Sequence, residues 1–283
     1  MKSLAARIPA PTLVILAGVT VQIGSALAKS VFVLAGPLGT VFLRVALSAL
    51  LLCVLWRPRW QATRAHWPLV MAYGGMLTIM NTSFYLAIDR IPLGVAVAIE
   101  FTGPLGLAVI KSRRWLDVVW VALAALGVIL LAPMQGSGLD PIGLGFACMA
   151  ALAWAGYILL AAATGQVVPG IDGLAWGMVF GACMLMPIGV GAAGTALLDG
   201  RLLVTATAVA ALSSITYAIE LVALRRLPLN AFGVLLSVEP MLAATSGFLV
   251  LGETLTVRSL IAVVLISIAA GGSARYAAPL GEE

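Results

Sequence analysis

Four ionisable side chains stand inside otherwise apolar stretches of the sequence: Arg44, Glu100, Glu220 and Glu239. A charged group among apolar neighbours is costly, so such groups are functional candidates by default. A carboxyl group in this setting can exchange a proton during a working cycle. Carboxylates also accept hydrogen bonds from an ammonium group, and a guanidinium binds a carboxylate. Glu100 or Glu239, together with Arg44, could therefore hold the two ends of a zwitterionic amino acid.

Arg44 admits a second interpretation. It could form a structural ion pair with one of the glutamates instead of binding a ligand, and structural pairing is favoured at least as much as binding. Function is favoured for Glu100 and Glu239. Glu220 lies about one turn from the predicted end of its apolar stretch.

Two pairs of polar and aromatic residues could line a binding site. Asn81 and Tyr85 are four residues apart, and Trp154 and Tyr157 are three apart. Both spacings place the members of a pair on one helix face. For Trp154 and Tyr157, packing or anchoring at an interface is the favoured interpretation.

Two prolines accompany the central glutamates. Pro104 follows Glu100 by four residues, and Pro240 directly follows Glu239. Proline in a helix removes a hydrogen bond to the carbonyl one turn earlier and kinks the helix. We therefore predict kinks at Pro104 and Pro240 that leave backbone carbonyls beside the glutamates.

Signatures of other chemistry are missing from the sequence. It has no HExxH, no GxSxG and no GxxxxGK[ST] motif, which disfavours a metalloprotease, a serine hydrolase and an ATP-driven pump. The three cysteines show no CxxC spacing. We expect no metal, no cofactor and no catalytic residues. A membrane-embedded enzyme remains the weaker alternative, because no His or Asp residues cluster.

The elements that must position these residues are long apolar helices. The chain has 283 residues, of which 62% are hydrophobic and 10% charged, whereas soluble domains carry about 25% charged residues. About 20 apolar residues cross a bilayer as a helix. We therefore predict an all-α integral membrane protein with ten transmembrane helices at residues 11–28, 36–56, 67–88, 91–110, 115–133, 141–163, 171–194, 202–224, 228–251 and 257–276.

The positive charges set the predicted orientation. The net charge is +5, but the basic residues lie in short loops between apolar stretches, so a nucleic acid partner is rejected. Most Lys and Arg residues fall on the side of the N-terminus, which predicts both termini in the cytoplasm. One alternative is that the first apolar stretch, which ends Ser25-Ala26-Leu27-Ala28, is a cleaved signal peptide.

The chain also reads as two similar halves. Pro92 and Pro104 are twelve residues apart, as are Pro228 and Pro240, and the two pairs are offset by 136 residues. We predict five-helix repeats at residues 1–136 and 137–283. Because five is odd, the second repeat runs upside down relative to the first, as in many secondary transporters. Chance matching of apolar sequence is the alternative.

Four segments resemble a known family: Ser25–Phe32, Leu93–Leu105 (LGVAVAIEFTGPL), Ser237–Pro240 and Leu251–Thr256 (LGETLT). They are similar to the drug/metabolite transporter superfamily and, within it, to the EamA-type exporters of the threonine/homoserine branch. The resemblance runs from about residue 12 to residue 275. Glu-Phe-Thr-Gly-Pro and Gly-Glu-Thr-Leu are its most specific parts.

The resemblance implies an exporter in the bacterial inner membrane. It implies coupling to protons or to the membrane potential, with a central cavity that opens alternately to each side. The expected partners are a small-molecule amino acid and the lipid bilayer, and the alternative cargo is a drug or another metabolite. It also adds Lys29 and Glu253 to the candidate residues. Lys29 could snorkel to the interface, and Glu253 could favour the N-terminus of the last helix.

The oligomeric state is expected to be monomer or dimer. Gly173, Gly177 and Gly181 recur every four residues, a spacing that permits close helix contact. We expect this contact to lie within one chain, with a dimer face as the alternative.

Overall fold

The computed structural model describes residues 9–111, 116–131, 139–168, 171–224 and 235–276. Within these ranges the regular structure is helical. Short helical turns occur at Trp60–Thr63, Arg64–His66 and Gly194–Leu198. The main helices are α1 (Ala10–Ser30), α2 (Phe32–Trp56), α3 (Trp67–Arg90), α4 (Leu93–Glu100), α5 (Thr102–Lys111), α6 (Leu116–Leu131), α7 (Pro141–Val167), α8 (Asp172–Ala193), α9 (Gly200–Leu224), α10 (Glu239–Leu251) and α11 (Val257–Tyr276).

Every predicted span overlaps a helix, but only some helices meet the requirements for crossing a bilayer alone. Among the described residues, four segments are long and apolar enough: Pro11–Ser30, Phe32–Trp56, Pro141–Val167 and Asp172–Leu198. Several other apolar helices are shorter. The number of ten spans therefore stays a prediction.

The outer faces of the helices carry large apolar side chains. Val33 is 90% exposed, Leu152 75% and Phe248 61%. Exposed apolar area spread over helix after helix is costly in water and is expected where helices face lipid. The buried polar residues described below lie between the helices instead.

The predicted span at 91–110 is not one continuous helix. It breaks at Phe101 into α4 and α5, and Pro104 lies in the first turn of α5. Pro240 likewise lies in the first turn of α10, after a turn at Ser237–Val238. Each proline thus lies within one turn of an interruption in its helix. That Pro104 and Pro240 kink these helices stays a prediction.

Glycines allow close contact between helices in the core. A β-carbon on Gly74 of α3 would overlap the backbone of Gly177 on α8, and one on Gly181 would overlap the hydroxyl of Thr78. Such contacts let two helix backbones approach closely. Gly177 and Gly181 of α8 thus face α3, whereas Gly173 faces Thr164 and Val168 at the end of α7, all within the same chain.

The helix pairs follow a regular scheme. The main packing partners are α3 with α7 and α8, α1 with α9 and α10, α2 with α8, α4 with α10, and α6 with α11. Contacts of Gly143 with Arg90 and of Gly156 with Met76 show that α3 and α7 run antiparallel. This packing brings α1, α2, α3, α9 and α10 around the residues considered next.

Candidate functional site

Arg44 lies in α2 and is buried between three helices. Its Nη1 donates a hydrogen bond of 2.6 Å to Oδ1 of Asn81 on α3. Its Nε donates at 3.2 Å to Oγ of Ser213 on α9. The guanidinium carbon lies 5.4 Å from the centroid of the Tyr85 ring, within the range of a cation–π contact. Neutral groups from both predicted halves of the chain thus contact this charge.

Asn81 is held in the orientation that suits Arg44. Its Nδ2 donates a hydrogen bond of 2.8 Å to the carbonyl of Leu77, which leaves Oδ1 to accept from the guanidinium. Tyr85 lies one turn further along α3 and packs against Phe32 with a centroid distance of 5.5 Å. The shared helix face predicted from the spacing of four is therefore seen, and it faces Arg44.

Glu239 begins α10 and is buried against α1. Its Oε2 accepts a hydrogen bond of 3.3 Å from Nε2 of Gln22. Gly18 lies one turn before Gln22, and a β-carbon there would press on the Glu239 side chain. The carboxylate also lies at the positive end of the α10 dipole, which favours its negative charge.

Two threonines connect α1 and α9. The hydroxyls of Thr20 and Thr216 lie 2.8 Å apart and share a hydrogen bond. Ser213, which binds Arg44, precedes Thr216 by three residues and so lies on the same face of α9. We define the polar belt as the buried and part-buried residues Thr20, Gln22, Arg44, Asn81, Ser213, Thr216 and Glu239.

The polar belt has a cation on α2, an anion on α10 and neutral hydrogen-bonding groups on α1, α3 and α9. A guanidinium donates up to five hydrogen bonds, and a carboxylate only accepts. The belt can therefore offer donors to an anionic group and acceptors to a cationic one.

Glu100 is the last residue of α4, directly before the break at Phe101. Its side chain is half-buried, and Arg44 lies within electrostatic reach of its carboxyl group. Pro104 has no N–H to donate to the Glu100 carbonyl four residues earlier. Thr102 contributes a hydrogen bond at the break, where its hydroxyl donates at 2.6 Å to the carbonyl of Ile99.

Trp154 and Tyr157 of α7 contact other aromatic rings. Trp154 meets Phe101 edge to face, with centroids 4.8 Å apart. Tyr157 stacks on Tyr73 of α3 at 5.3 Å. These contacts give both residues a packing role, and Trp154 packs directly against the break between α4 and α5.

One predicted residue cannot be placed, and several residues of the polar belt were missed. The Glu220 side chain lies outside the described residues. Gln22 had a signal, since it is the one strongly polar residue of the stretch 13–27. Ser213 and Thr216 had none, because such residues usually bond to their own helix backbone.

A separate cluster joins three segments at one end of the bundle. Nζ of Lys29 lies 2.6 Å from Oε1 of Glu253 and donates at 3.1 Å to the carbonyl of Ile91. Oε2 of Glu253 accepts at 2.8 Å from the N–H of Leu93, the first residue of α4. This corrects both expectations: Lys29 is paired, and Glu253 caps the N-terminus of α4 instead of that of the last helix.

Asp140 lies beside the C-terminal end of α3 and caps the start of α7. Its Oδ1 accepts a hydrogen bond of 2.8 Å from the N–H of Ile142, and its Oδ2 accepts one of 2.8 Å from Nη1 of Arg90. The hydrogen bond from Arg90, followed by that from Ile142, lowers the pKa of Asp140. Asp140 thus acts as the N-cap of α7.

The described part of the chain offers no group of three His, Cys, Asp or Glu side chains that could hold a metal ion. The three cysteines are free thiols. The charged and polar groups of the polar belt can form hydrogen bonds and ion pairs, and Glu239 can exchange a proton.

Comparison with solved structures identifies the fold. One crystal structure superposes with a TM-score of 0.61, covering 92% of this chain and 96% of that chain at 17% sequence identity. Helices throughout the chain are thus arranged as in a known protein.

Comparison with known sequences identifies the relatives. The chain is 43% identical over 273 residues to the threonine/homoserine exporter RhtA of Salmonella typhimurium, covering 93% of this chain and 90% of that protein. It is also 43% identical over 267 residues to the exporter of the same name from Escherichia coli K12, covering 92% and 90%. Residues 141–274 match the model of the EamA-like transporter family. The chain therefore belongs to the EamA-like transporters, a family of transporters and not of enzymes.

Proposed function

We propose that the protein is a secondary active exporter of threonine, homoserine and similar amino acids in the bacterial inner membrane. The observation that carries the proposal is 43% identity to exporters with this substrate in their name, extending over 93% of the chain. The matched region includes both predicted halves, so it is not limited to one shared repeat.

The polar belt supports an amino acid as the cargo. A zwitterion needs donors for its carboxylate and acceptors for its ammonium group. Arg44 supplies donors on α2, and Glu239 supplies a carboxylate on α10. Both side chains lie between helices and not on the apolar outer surface, as expected for a substrate site in a membrane protein.

The packing scheme supports two inverted five-helix repeats at 1–136 and 137–283. The third helix of each half packs on the first helix of the other half, as α3 on α7 and α9 on α1. The second helices, α2 and α8, pack on each other. If α4 and α5 are counted as one interrupted helix, the fourth helices pack as α4 on α10 and the fifth as α6 on α11. Together with the distribution of Lys and Arg, this favours ten spans with both termini in the cytoplasm.

Proton or potential coupling is part of the proposal. Glu100 and Glu239 are carboxyl groups between the helices. Either can carry a proton in one half of the cycle and release it in the other. The helix ends beside them, at Phe101 and at Ser237–Val238, are natural points of movement for alternating access.

The function is tested by transport from proteoliposomes loaded with labelled threonine, homoserine, methionine or phenylalanine. We expect threonine and homoserine to leave liposomes that contain the unmodified protein faster than liposomes that contain Arg44→Ala. The efflux rate should change when a proton gradient or a membrane potential is imposed. If no amino acid moves under any gradient, the proposal is wrong. Movement of drugs or other metabolites, loaded into parallel liposomes, would then assign the alternative cargo.

A further inference from the structure

Gln22 presents an unsatisfied acceptor inside the protein. The residue is 4% exposed, and its amide oxygen, Oε1, has no protein hydrogen-bond partner among the described residues. A buried acceptor left without a partner is destabilising. Such atoms are rare in folded proteins and call for a specific explanation.

The contact with Glu239 fixes which way the Gln22 amide points. A carboxylate only accepts hydrogen bonds, so the nitrogen of the amide must face Oε2 of Glu239, as observed at 3.3 Å. The amide oxygen is bonded to the same carbon and is therefore held beside the carboxylate. Two acceptor groups, one neutral and one anionic, thus stand next to each other on α1 and α10.

This pair of acceptors matches a primary ammonium group. An ammonium has three N–H donors and no acceptor, and its charge favours a carboxylate partner. A hydroxyl has one donor and would satisfy only one of the two groups. We propose that Gln22 is a substrate-binding residue, whose amide oxygen and the Glu239 carboxylate together bind the α-ammonium group of the transported amino acid. The inference rests on the proposed function.

Two features bear on how the substrate reaches this pair. Gly18 presents no side chain where α1 meets the Glu239 side chain, so no side chain at that position covers the carboxylate. The turn at Ser237–Val238 lies directly before Glu239 and permits α10 to move as a unit. The substrate carboxylate is then left to the donors of Arg44.

The test compares two ligands in two variants. Threonine is compared with its analogue in which a hydroxyl replaces the ammonium group, by competition against labelled homoserine in proteoliposomes. In Gln22→Met we expect the apparent affinity for threonine to fall roughly tenfold, a change of about 1.4 kcal/mol. The analogue should compete equally weakly with both proteins, because its single hydroxyl donor is satisfied by Glu239, which both proteins retain.

Ser25→Ala is the matched control. Ser25 is also buried on α1, but its hydroxyl donates to the carbonyl of Val21 at 3.0 Å. Removing this hydroxyl should therefore change the apparent affinity for neither threonine nor the analogue. A second variant, Gln22→Glu, keeps an acceptor and should bind threonine better than Gln22→Met. Melting temperatures in detergent verify that each variant is folded.

Three outcomes would overturn the inference. Unchanged threonine affinity in folded Gln22→Met would leave the proposed function standing and remove Gln22 from the site. Equal weakening of threonine and the analogue would show that Gln22 only supports the fold. If the unmodified protein moves no amino acid, the proposed function and this inference both fail.

Discussion

Lys29 and Glu253 form an ion pair 2.6 Å long that joins the end of α1 to the segment between α10 and α11. The pair also binds the carbonyl of Ile91 and the N–H of Leu93. Three segments that are far apart in sequence are thus fastened at one end of the bundle, by side chains that are mostly buried.

Breaking this pair should destabilise the protein. In Lys29→Met, Glu253 loses a charged partner, and we expect a loss of about 2 kcal/mol, the usual value of a charge-assisted hydrogen bond. The measurement is thermal unfolding in detergent. Combining Lys29→Glu with Glu253→Lys should restore only part of the stability, because each new group meets the wrong backbone partner. Full stability in Lys29→Met would contradict the structural role of the pair.

Arg44 should not tolerate replacement by lysine. The guanidinium binds Asn81 and Ser213 through two different nitrogens, and a single ammonium cannot reproduce that geometry. We expect Arg44→Lys to reduce transport at least tenfold. Ser213→Ala removes one neutral partner and should cost about 1 kcal/mol, or a severalfold loss. Transport rates in proteoliposomes provide the comparison, and equal rates for Arg44→Lys and the unmodified protein would exclude Arg44 from the site.

The three glutamates should differ in their effect on transport. Glu100→Gln and Glu239→Gln remove ionisable groups between the helices, and we expect both to impair transport more than Glu253→Gln does. Glu253→Gln retains an acceptor for the N–H of Leu93 and acts at the end of the bundle. The readout is the response of threonine efflux to an imposed proton gradient. The same response in all three variants would contradict the assignment of Glu100 and Glu239 as the coupling groups.

Neighbouring glycines on α3 offer a matched test of helix packing. A β-carbon on Gly74 would overlap the backbone of Gly177, whereas one on Gly75 would meet nothing within contact distance. We expect Gly74→Ala to destabilise the protein by about 1–3 kcal/mol. Gly75→Ala should be neutral or stabilising by up to about 1 kcal/mol, because alanine is the better helix former. Similar unfolding temperatures for the two variants would mean that α3 and α8 are less closely packed than the contact between Gly74 and Gly177 indicates.

The stability contributed by Asp140 should depend on pH. The hydrogen bond from Arg90 lowers the pKa of Asp140 below its ordinary value of 3.8. The folded state therefore binds the proton more weakly than the unfolded state, so this contribution is present above pH 3.8 and is lost as the pH falls further. We expect the melting temperatures of the unmodified protein and Asp140→Asn to converge on acidification through this range. A difference that persists at lower pH would contradict the proposed linkage.

The sequence predicted the helices well because their signal is strong. Long apolar stretches with charged ends have few alternatives in a bilayer. The spacing of Asn81 and Tyr85 likewise predicted their common face, since four residues make nearly one helical turn. What the sequence could not predict was the partner of that face, because contact with Arg44 depends on how α2 packs on α3.

Other features depend on contacts or backbone geometry that no local pattern shows. Pro104 and Pro240 predict interrupted helices, but not that the interruptions lie at Phe101 and at Ser237–Val238. The pairing of Lys29 with Glu253 joins residues 224 positions apart, which no local pattern reports. Gln22 stood out as polar, but its importance arises from Glu239 on another helix.

The contact between Arg44 and Asn81 also bears on how the chain enters the membrane. α3 carries Asn81, Thr82 and Ser83 near its middle and is not among the four described segments that are apolar enough to cross a bilayer alone. The insertion machinery releases segments to lipid according to their apolarity. α2 is apolar enough and is synthesised first, so its Arg44 is the earliest group that can shield Asn81. The hydrogen bond from Arg44 to Asn81 would thus lower the cost of placing α3 in the membrane before the later helices are made.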